Sequence, residues 1–231
     1  EHINPGVQYP VWQGEIDMES RVSGKLTEAG PIANVILSTL KGELRGLPIR
    51  GRGTVNVNPD VIDVAGLTVG SGRSEIRANG KLSQHSQLDW EINIPEASDL
   101  IPEASGRLVG QGTVRGPQTQ PRINAQLKVD SLHAQQFAVE WLAADLDVDL
   151  SYQSKSNVSL VGQGLKAGGQ QISQLSITAN GTLDVHELET AVTHELGQVK
   201  LALQGGLKNE LWKGALQNFS VESGDFGNWQ L

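Results

Sequence analysis

Between Gly72 and Ile94, apolar or small residues take every second position. Ser74, Ile76, Ala78, Gly80 and Leu82 alternate with Arg73, Glu75, Arg77, Asn79 and Lys81; Leu88, Trp90, Ile92 and Ile94 then alternate with Asp89, Glu91 and Asn93. Successive side chains of a strand point to opposite faces. A period of two therefore predicts two strands, each with one apolar and one charged face, joined as a hairpin through Ser83 to Gln87.

The same pattern recurs along the chain. Ile16, Met18, Val22, Gly24 and Leu26 share even positions, and Gly30-Pro31 marks a turn. Residues 32–46 fit two readings. Ile32, Val35, Ile36, Leu40 and Leu44 suit a helix face, while Ile36, Leu40, Gly42, Leu44 and Gly46 suit alternation. Gly42, Gly46 and the β-branched residues favour the strand. Ile49, Gly51, Gly53, Val55 and Val57 form a strand whose inner face is largely bare backbone, and Asn58-Pro59-Asp60 turns it into Val61 to Val69. Pro95 to Pro102 is a polar connection with room for a short helical turn at Ala97 to Ile101.

Further strands follow at Leu108 to Val114, Ile123 to Val129, Leu142 to Leu150, Val158 to Gly164, Gln174 to Leu183, Leu188 to His194, Val199 to Leu207 and Leu211 to Val221. At about 4.8 Å between neighbours, roughly 15 such strands stacked in order make an object on the order of 70 Å long. Ala78-Asn79-Gly80-Lys81-Leu82 recurs as Ala179-Asn180-Gly181-Thr182-Leu183, and GELRG at Gly42 to Gly46 is echoed by GRLVG at Gly106 to Gly110. Repeats of strand size predict stacking in one direction, each strand touching mainly its neighbours. A β-sandwich of a duplicated domain is the alternative.

Composition sharpens this picture. Only 4% of residues are aromatic while 27 are Gly, well above the roughly 7% usual in proteins. A compact sandwich wants large aromatics in its core, so the expectation is an elongated all-β object of mainly antiparallel strands, with at most short helical turns. We read residues 1–231 as one continuous repetitive segment with a weak internal boundary near 95–105. A net charge of −8 and the absence of any basic stripe exclude a nucleic-acid partner. The lack of Cys leans toward the cell envelope. No apolar run approaches the roughly 18 residues that span a bilayer, and no signal pattern opens the chain. Because it starts abruptly at Glu1 and ends at Leu231 within a strand pattern, a segment of a longer protein is expected, with any anchor outside it.

Templates for catalysis fail one after another. Gly110-x-Gly112 and Gly162-x-Gly164 lack the third glycine of a dinucleotide loop. Asp145, Asp147 and Asp149 imitate the start of a calcium loop, but Leu150 and Ser156 stand where Gly and Glu are required. His2, His85, His133, His186 and His194 are dispersed, and only His186 and His194 are placed to share a face. No Gly-x-Ser-x-Gly elbow occurs. Neither enzymatic activity, nor a metal, nor a cofactor is expected. What remains is surface: if the apolar faces line a trough, they await a ligand or partner, and if the sheet closes on itself they are ordinary core.

Two stretches carry a family resemblance. DLIPEASGRLVGQGTVRGPQTQPRINAQLKVDSLHAQQFAVEWLAADLDVDL, Asp99 to Leu150, resembles the middle region of TamB proteins, in which a Leu-x-Pro-Glu connection leads to Gly-x-Leu-x-Gly strands and a strand opening after Pro. LWKGALQNFSVESGDFGNWQL, Leu211 to Leu231, is similar to that family's Trp-x-Gly-x-Leu segment followed by Gly-x-Trp-x-Leu, and Trp12-Gln13-Gly14 is similar to a preceding copy.

The resemblance implies a translocation and assembly module component of a Gram-negative bacterium, of the AsmA-like superfamily. Such a protein is held in the inner membrane by one N-terminal helix and crosses the periplasm as a curled, U-shaped (β-taco-like) sheet with a hydrophobic concave groove. It meets the outer-membrane barrel TamA through a region outside this segment. On that reading phospholipid acyl chains lie along Ile76, Ala78, Leu82, Leu88, Trp90, Ile92, Ile94, Leu108, Val114, Ile123, Leu127, Val129, Leu146, Val148, Leu201 and Leu203. Two other roles stay open: a chaperone-like module engaging unfolded outer-membrane β-barrel proteins, and a purely structural, adhesin-like spacer.

Overall fold

The computed structural model describes residues 2–151, 154–208, 211–224 and 227–231. Glu1, and the Asp225 and Phe226 of the Leu211 to Leu231 motif, lie outside them. The chain divides into two units, Glu1–Glu103 with Leu108–Pro121, and Ala104–Arg107 with Arg122–Leu231. The only helical elements among the described residues are three short 3-10 turns, at Pro5–Val7, Pro10–Trp12 and Ala97–Asp99. The last of these is the helical turn expected in the connection after Pro95.

The first unit holds β1 (His2–Ile3), β2 (Gly14–Thr27), β3 (Gly30–Leu44), β4 (Leu47–Asn58), β5 (Val61–Ser71), β6 (Ser74–Leu82), β7 (Ser86–Ile94) and most of β8 (Ser105–Gly116). They pair antiparallel in chain order as an open, curled sheet. The second holds β9 (Arg122–Ala134), β10 (Phe137–Asp149), β11 (Ser156–Ala167), β12 (Gln170–Gly181), β13 (His186–His194), β14 (Gly197–Lys208), β15 (Leu211–Ser223) and β16 (Gly227–Gln230), paired in the same manner. The β6–β7 hairpin is the one read from Gly72 to Ile94. Leu150 is a correction: β10 ends at Asp149, and Leu150 falls in the following turn.

Bulges explain where simple alternation breaks. In β3, Thr39 pairs with Glu19 but Leu37 with Ser20, leaving Ser38 unpaired. One extra residue moves the apolar positions from odd to even, so Val35 and Leu37 share a face with Leu40 and Gly42. Residues 32–46 are therefore strand through Leu44, and the helix-like spacing is the trace of the bulge. Ile36 is corrected with it: it pairs with Arg21 and Thr54 on the polar face. A second bulge at Ala65 and Gly66 of β5 is held by its neighbour, since the Gly66 N–H donates to Asn79 Oδ1 at 2.9 Å. Bulges at Ser173 and Gln217 do the same for Ile172 with Leu175, and for Leu216 with Phe219.

The repeated Ala-Asn-Gly has one job in both copies. Gly80 and Gly181 have φ of +129° and +130°, and a Cβ on either would run into the next strand's backbone, at the carbonyl oxygen of Gln87 or Val185. Glycine is thus the residue that lets these strand ends approach closely.

Polar faces are tied by cross-strand pairs. Arg77 reaches across to Glu91 at 3.3 Å, Lys81 to Asp63 at 3.3 Å and Arg115 to Asp89 at 2.6 Å. These pairs are largely exposed, so each contributes at most about 1 kcal/mol, and their consistent placement matters more for register than for stability.

Candidate functional site

The partner residues of successive strands connect the apolar positions into rows. In the first unit one row runs Met18, Leu40, Gly51, Val69, Ile76, Ile92, Gly110. The next contains Leu67, Ala78, Trp90 and Gly112, and a third runs Val22, Val35, Val55, Val64, Gly80, Leu88, Val114. Leu82 stands opposite Ile62, and Ile94 opposite Leu108. All nine candidates of this unit share one face.

In the second unit the rows are equally continuous. Leu127 pairs with Ala144, and the line proceeds through Leu160, Ile177, Thr190 and Leu201 to Phe219. Leu146, Val158, Ala179, Leu188, Leu203 and Leu216 form the adjacent row, with Val129 opposite Leu142 and Ile123 opposite Val148. All seven candidates of this unit again share one face. Lys128, beside Leu127, pairs with Ala143 on the other.

These faces are only partly covered. Ile94 and Val129 are buried, at 8% and 5% exposure, but Ile76 is 39% exposed and the other thirteen candidates are half-buried. The chain presents 14483 Å² of surface, against roughly 10,000 Å² for a compact monomer of its mass. Among the described residues no α-helix lies over either sheet.

Three polar arrangements border these faces, and sequence reading missed each. In the first unit the connection after β7 is clamped to the hairpin ends. Asp99, 6% exposed, accepts through Oδ2 from the backbone N–H groups of Arg73 at 2.8 Å and Ser74 at 3.1 Å, and from the Ser74 hydroxyl at 3.1 Å. Arg45 Nη2 donates to the carbonyls of Ser98 and Asp99 at 2.9 and 2.8 Å, and its guanidinium lies 4.8 Å from the Trp12 ring centre. The connection thus covers one set of strand ends, where Ile49, Ser71, Ser74 and Ala97 are buried.

In the second unit Asp149 organises the turn after β10. Its Oδ1 accepts from the Ser151 N–H at 2.8 Å and hydroxyl at 2.5 Å, and its Oδ2 from the N–H and hydroxyl of Ser154. These bonds, led by the Ser151 hydroxyl, favour the ionised carboxylate and pull its pKa down to about 2. Asp147 takes a two-pronged pair from Arg122, at 2.8 and 2.6 Å, which raises the guanidinium's pKa further. The spaced aspartates are accordingly a turn cap and an ion-pair partner.

The third arrangement joins two distant residues on the apolar face. Trp212 Nε1 donates to His186 Nε2 at 2.9 Å, and His186 Nδ1 lies 3.2 Å from the Thr182 carbonyl. His186 and His194 do share that face of β13, but eight residues separate them by roughly 26 Å. Among the described residues no group of three His, Asp or Glu is placed to hold a metal ion, and no helix is long and apolar enough to cross a membrane.

Comparison with known proteins gives a consistent result. The family model described as TamB, N-terminal domain, matches residues 1–231. The matching family region is thus N-terminal, whereas the Asp99 to Leu150 motifs are compared above with the middle region. The translocation and assembly module subunit TamB of Haemophilus influenzae is 25% identical over 216 residues, which cover 89% of this chain and 17% of that protein. The chain therefore spans well under a quarter of that relative's length. No solved structure matches it.

Proposed function

Since the chain belongs to the TamB family, we propose that it is a non-enzymatic length of a translocation and assembly module component, whose apolar sheet faces form a hydrophobic groove carrying phospholipid acyl chains between the inner and outer membranes. The observation that carries this reading is the continuity of the apolar rows together with their partial exposure. A groove for a sliding chain needs an unbroken apolar line, and the row from Leu127 to Phe219 crosses seven strands with Thr190 as its one hydroxyl.

Magnitudes fit a carrier. Covering one methylene contributes about 0.8 kcal/mol, so half a dozen give roughly 5 kcal/mol, enough to hold a chain and little enough to let it move on. Headgroups stay in water. The protein works in the periplasm, held to the inner membrane by a helix outside this segment, and it reaches TamA through another region; both statements rest on the family.

A photo-crosslinking residue at Leu127, with Lys128 as the outward control, tests the proposal in the full-length protein in cells. Phospholipid captured at Leu127 and not at Lys128 is the expected result. Capture of unfolded barrel protein at Leu127 would favour the assembly role, and no adduct at either position would mean that the apolar face is closed.

A further inference from the structure

The Trp212–His186 pair sits on the face assigned to acyl chains, and its protonation state follows from chemistry. An indole N–H only donates, so His186 Nε2, 2.9 Å away, accepts. The Thr182 carbonyl only accepts, so Nδ1, 3.2 Å away, carries the imidazole's single hydrogen. Both nitrogens are committed, and the ring is neutral.

The bond also fixes where the indole lies. His186 stands opposite Gly205 on β14, and Gly205 opposite Gly214 on β15. A Cβ on Gly205 or Gly214 would collide with the six-membered ring of Trp212. The six-membered ring of the indole therefore lies against bare backbone, reaching across β14 to His186, with its ring centre 6.4 Å from the imidazole's. Still 42% exposed, it makes one side-chain hydrogen bond among the described residues, to His186.

From this geometry we infer that His186 is a proton-controlled latch on Trp212. With His186 neutral, the indole covers the Gly205 and Gly214 strip. A proton taken from solvent by Nε2 turns that nitrogen into a donor facing another donor; the hydrogen bond is lost and the indole swings off. Acidification thereby uncovers the Gly205 and Gly214 strip beside Leu203 and Leu216 for an acyl chain. This regulation rests on the acyl-chain reading of the same face. Among the described residues, the titratable groups within two positions of His186, Gly205 or Gly214 are Asp184 in the turn before β13, Glu187 on the far face of β13, where it accepts from Gln204 Nε2 at 3.2 Å, and Lys213 on the far face of β15. Among the described residues none of them bonds to the imidazole.

The test uses the full-length protein with 5-hydroxytryptophan at position 212, which keeps the indole N–H and is excited apart from the other tryptophans. As the pH is lowered from about 8 to about 5, its emission shifts red and becomes more open to acrylamide quenching. In H186Q, whose amide oxygen still accepts but does not titrate, the signal is expected to stay flat. A flat signal with His186 present, or a titration that persists in H186Q, overturns the latch. A photo-crosslinker at Leu203, in membranes of phosphatidylethanolamine and phosphatidylglycerol carrying the same protein, reads access. Several-fold more lipid adduct at the acid end supports the gating, and adduct captured equally at both ends overturns it. If the indole titrates but no lipid is captured at either pH, the latch stands and the acyl-chain function falls.

Discussion

Ser74 donates both its backbone N–H and its hydroxyl to one oxygen of Asp99, each at 3.1 Å. Ser74 is fully buried and Asp99 nearly so. The carboxylate takes the place of a strand partner for an edge that the β5 to β6 turn leaves open. Replacing it removes the acceptor of the Arg73 and Ser74 amides and leaves the Ser74 N–H away from water. D99A should cost the first unit about 2 to 3 kcal/mol, the range for orphaning buried donors that were bonded to a charge. Hydrogen exchange at those two amides checks this: protection is lost in D99A and largely kept in D99N, whose Oδ1 still accepts.

Acid should reach the second unit through Asp149. Its pKa is about 2 in the folded chain, against about 3.9 when unfolded. A depressed carboxylate stabilises above the unfolded value and loses that contribution as pH falls through the folded one. Denaturation of wild type and D149N should therefore differ in midpoint above about pH 4, with the gap closing toward about pH 2. S151A should raise the carboxylate's own titration, seen by carbon NMR of Asp149, because the Ser151 hydroxyl is the largest stabiliser of the anion.

The β3 bulge makes a sharp prediction about neighbours. Ile36 stands on the polar face against Arg21 and Thr54, whereas Leu37 stands on the apolar face against Ser20 and Gly53. I36R should change stability by less than about 1 kcal/mol, while L37R should cost about 2 kcal/mol or more. Thermal melts of the two variants decide it, and a reversed order would mean that the register is wrong.

These positions also show how far the sequence could be read. Gly72 to Ile94 is transparent because β6 and β7 carry no bulge between them, so parity alone assigns each face. Residues 32–46 are ambiguous because the unpaired Ser38 shifts parity, placing Val35, Leu37, Leu40 and Gly42 together at spacings that imitate a helix. The candidate groove residues of each unit share one face because they lie in unbulged stretches or on the matching side of a bulge. The polar clamps were hidden for a different reason. Asp99 meets Arg73 of the turn between β5 and β6 and Ser74 at the start of β6, Arg45 comes from the turn between β3 and β4, and Trp212 crosses an intervening strand to find His186. No local pattern encodes such partners; only the strand order brings them together.

Within each unit that order is simply the order of synthesis, each strand bonding to the ones just before and after it in the chain. Contacts of this kind close short loops, and short loops close quickly. A chain delivered from one end can finish a hairpin before the next strand arrives, and no segment has to wait, exposed, for a partner still to come. For a long protein made of such units, the time spent with bare strand edges is set by the length of one hairpin rather than by the length of the whole.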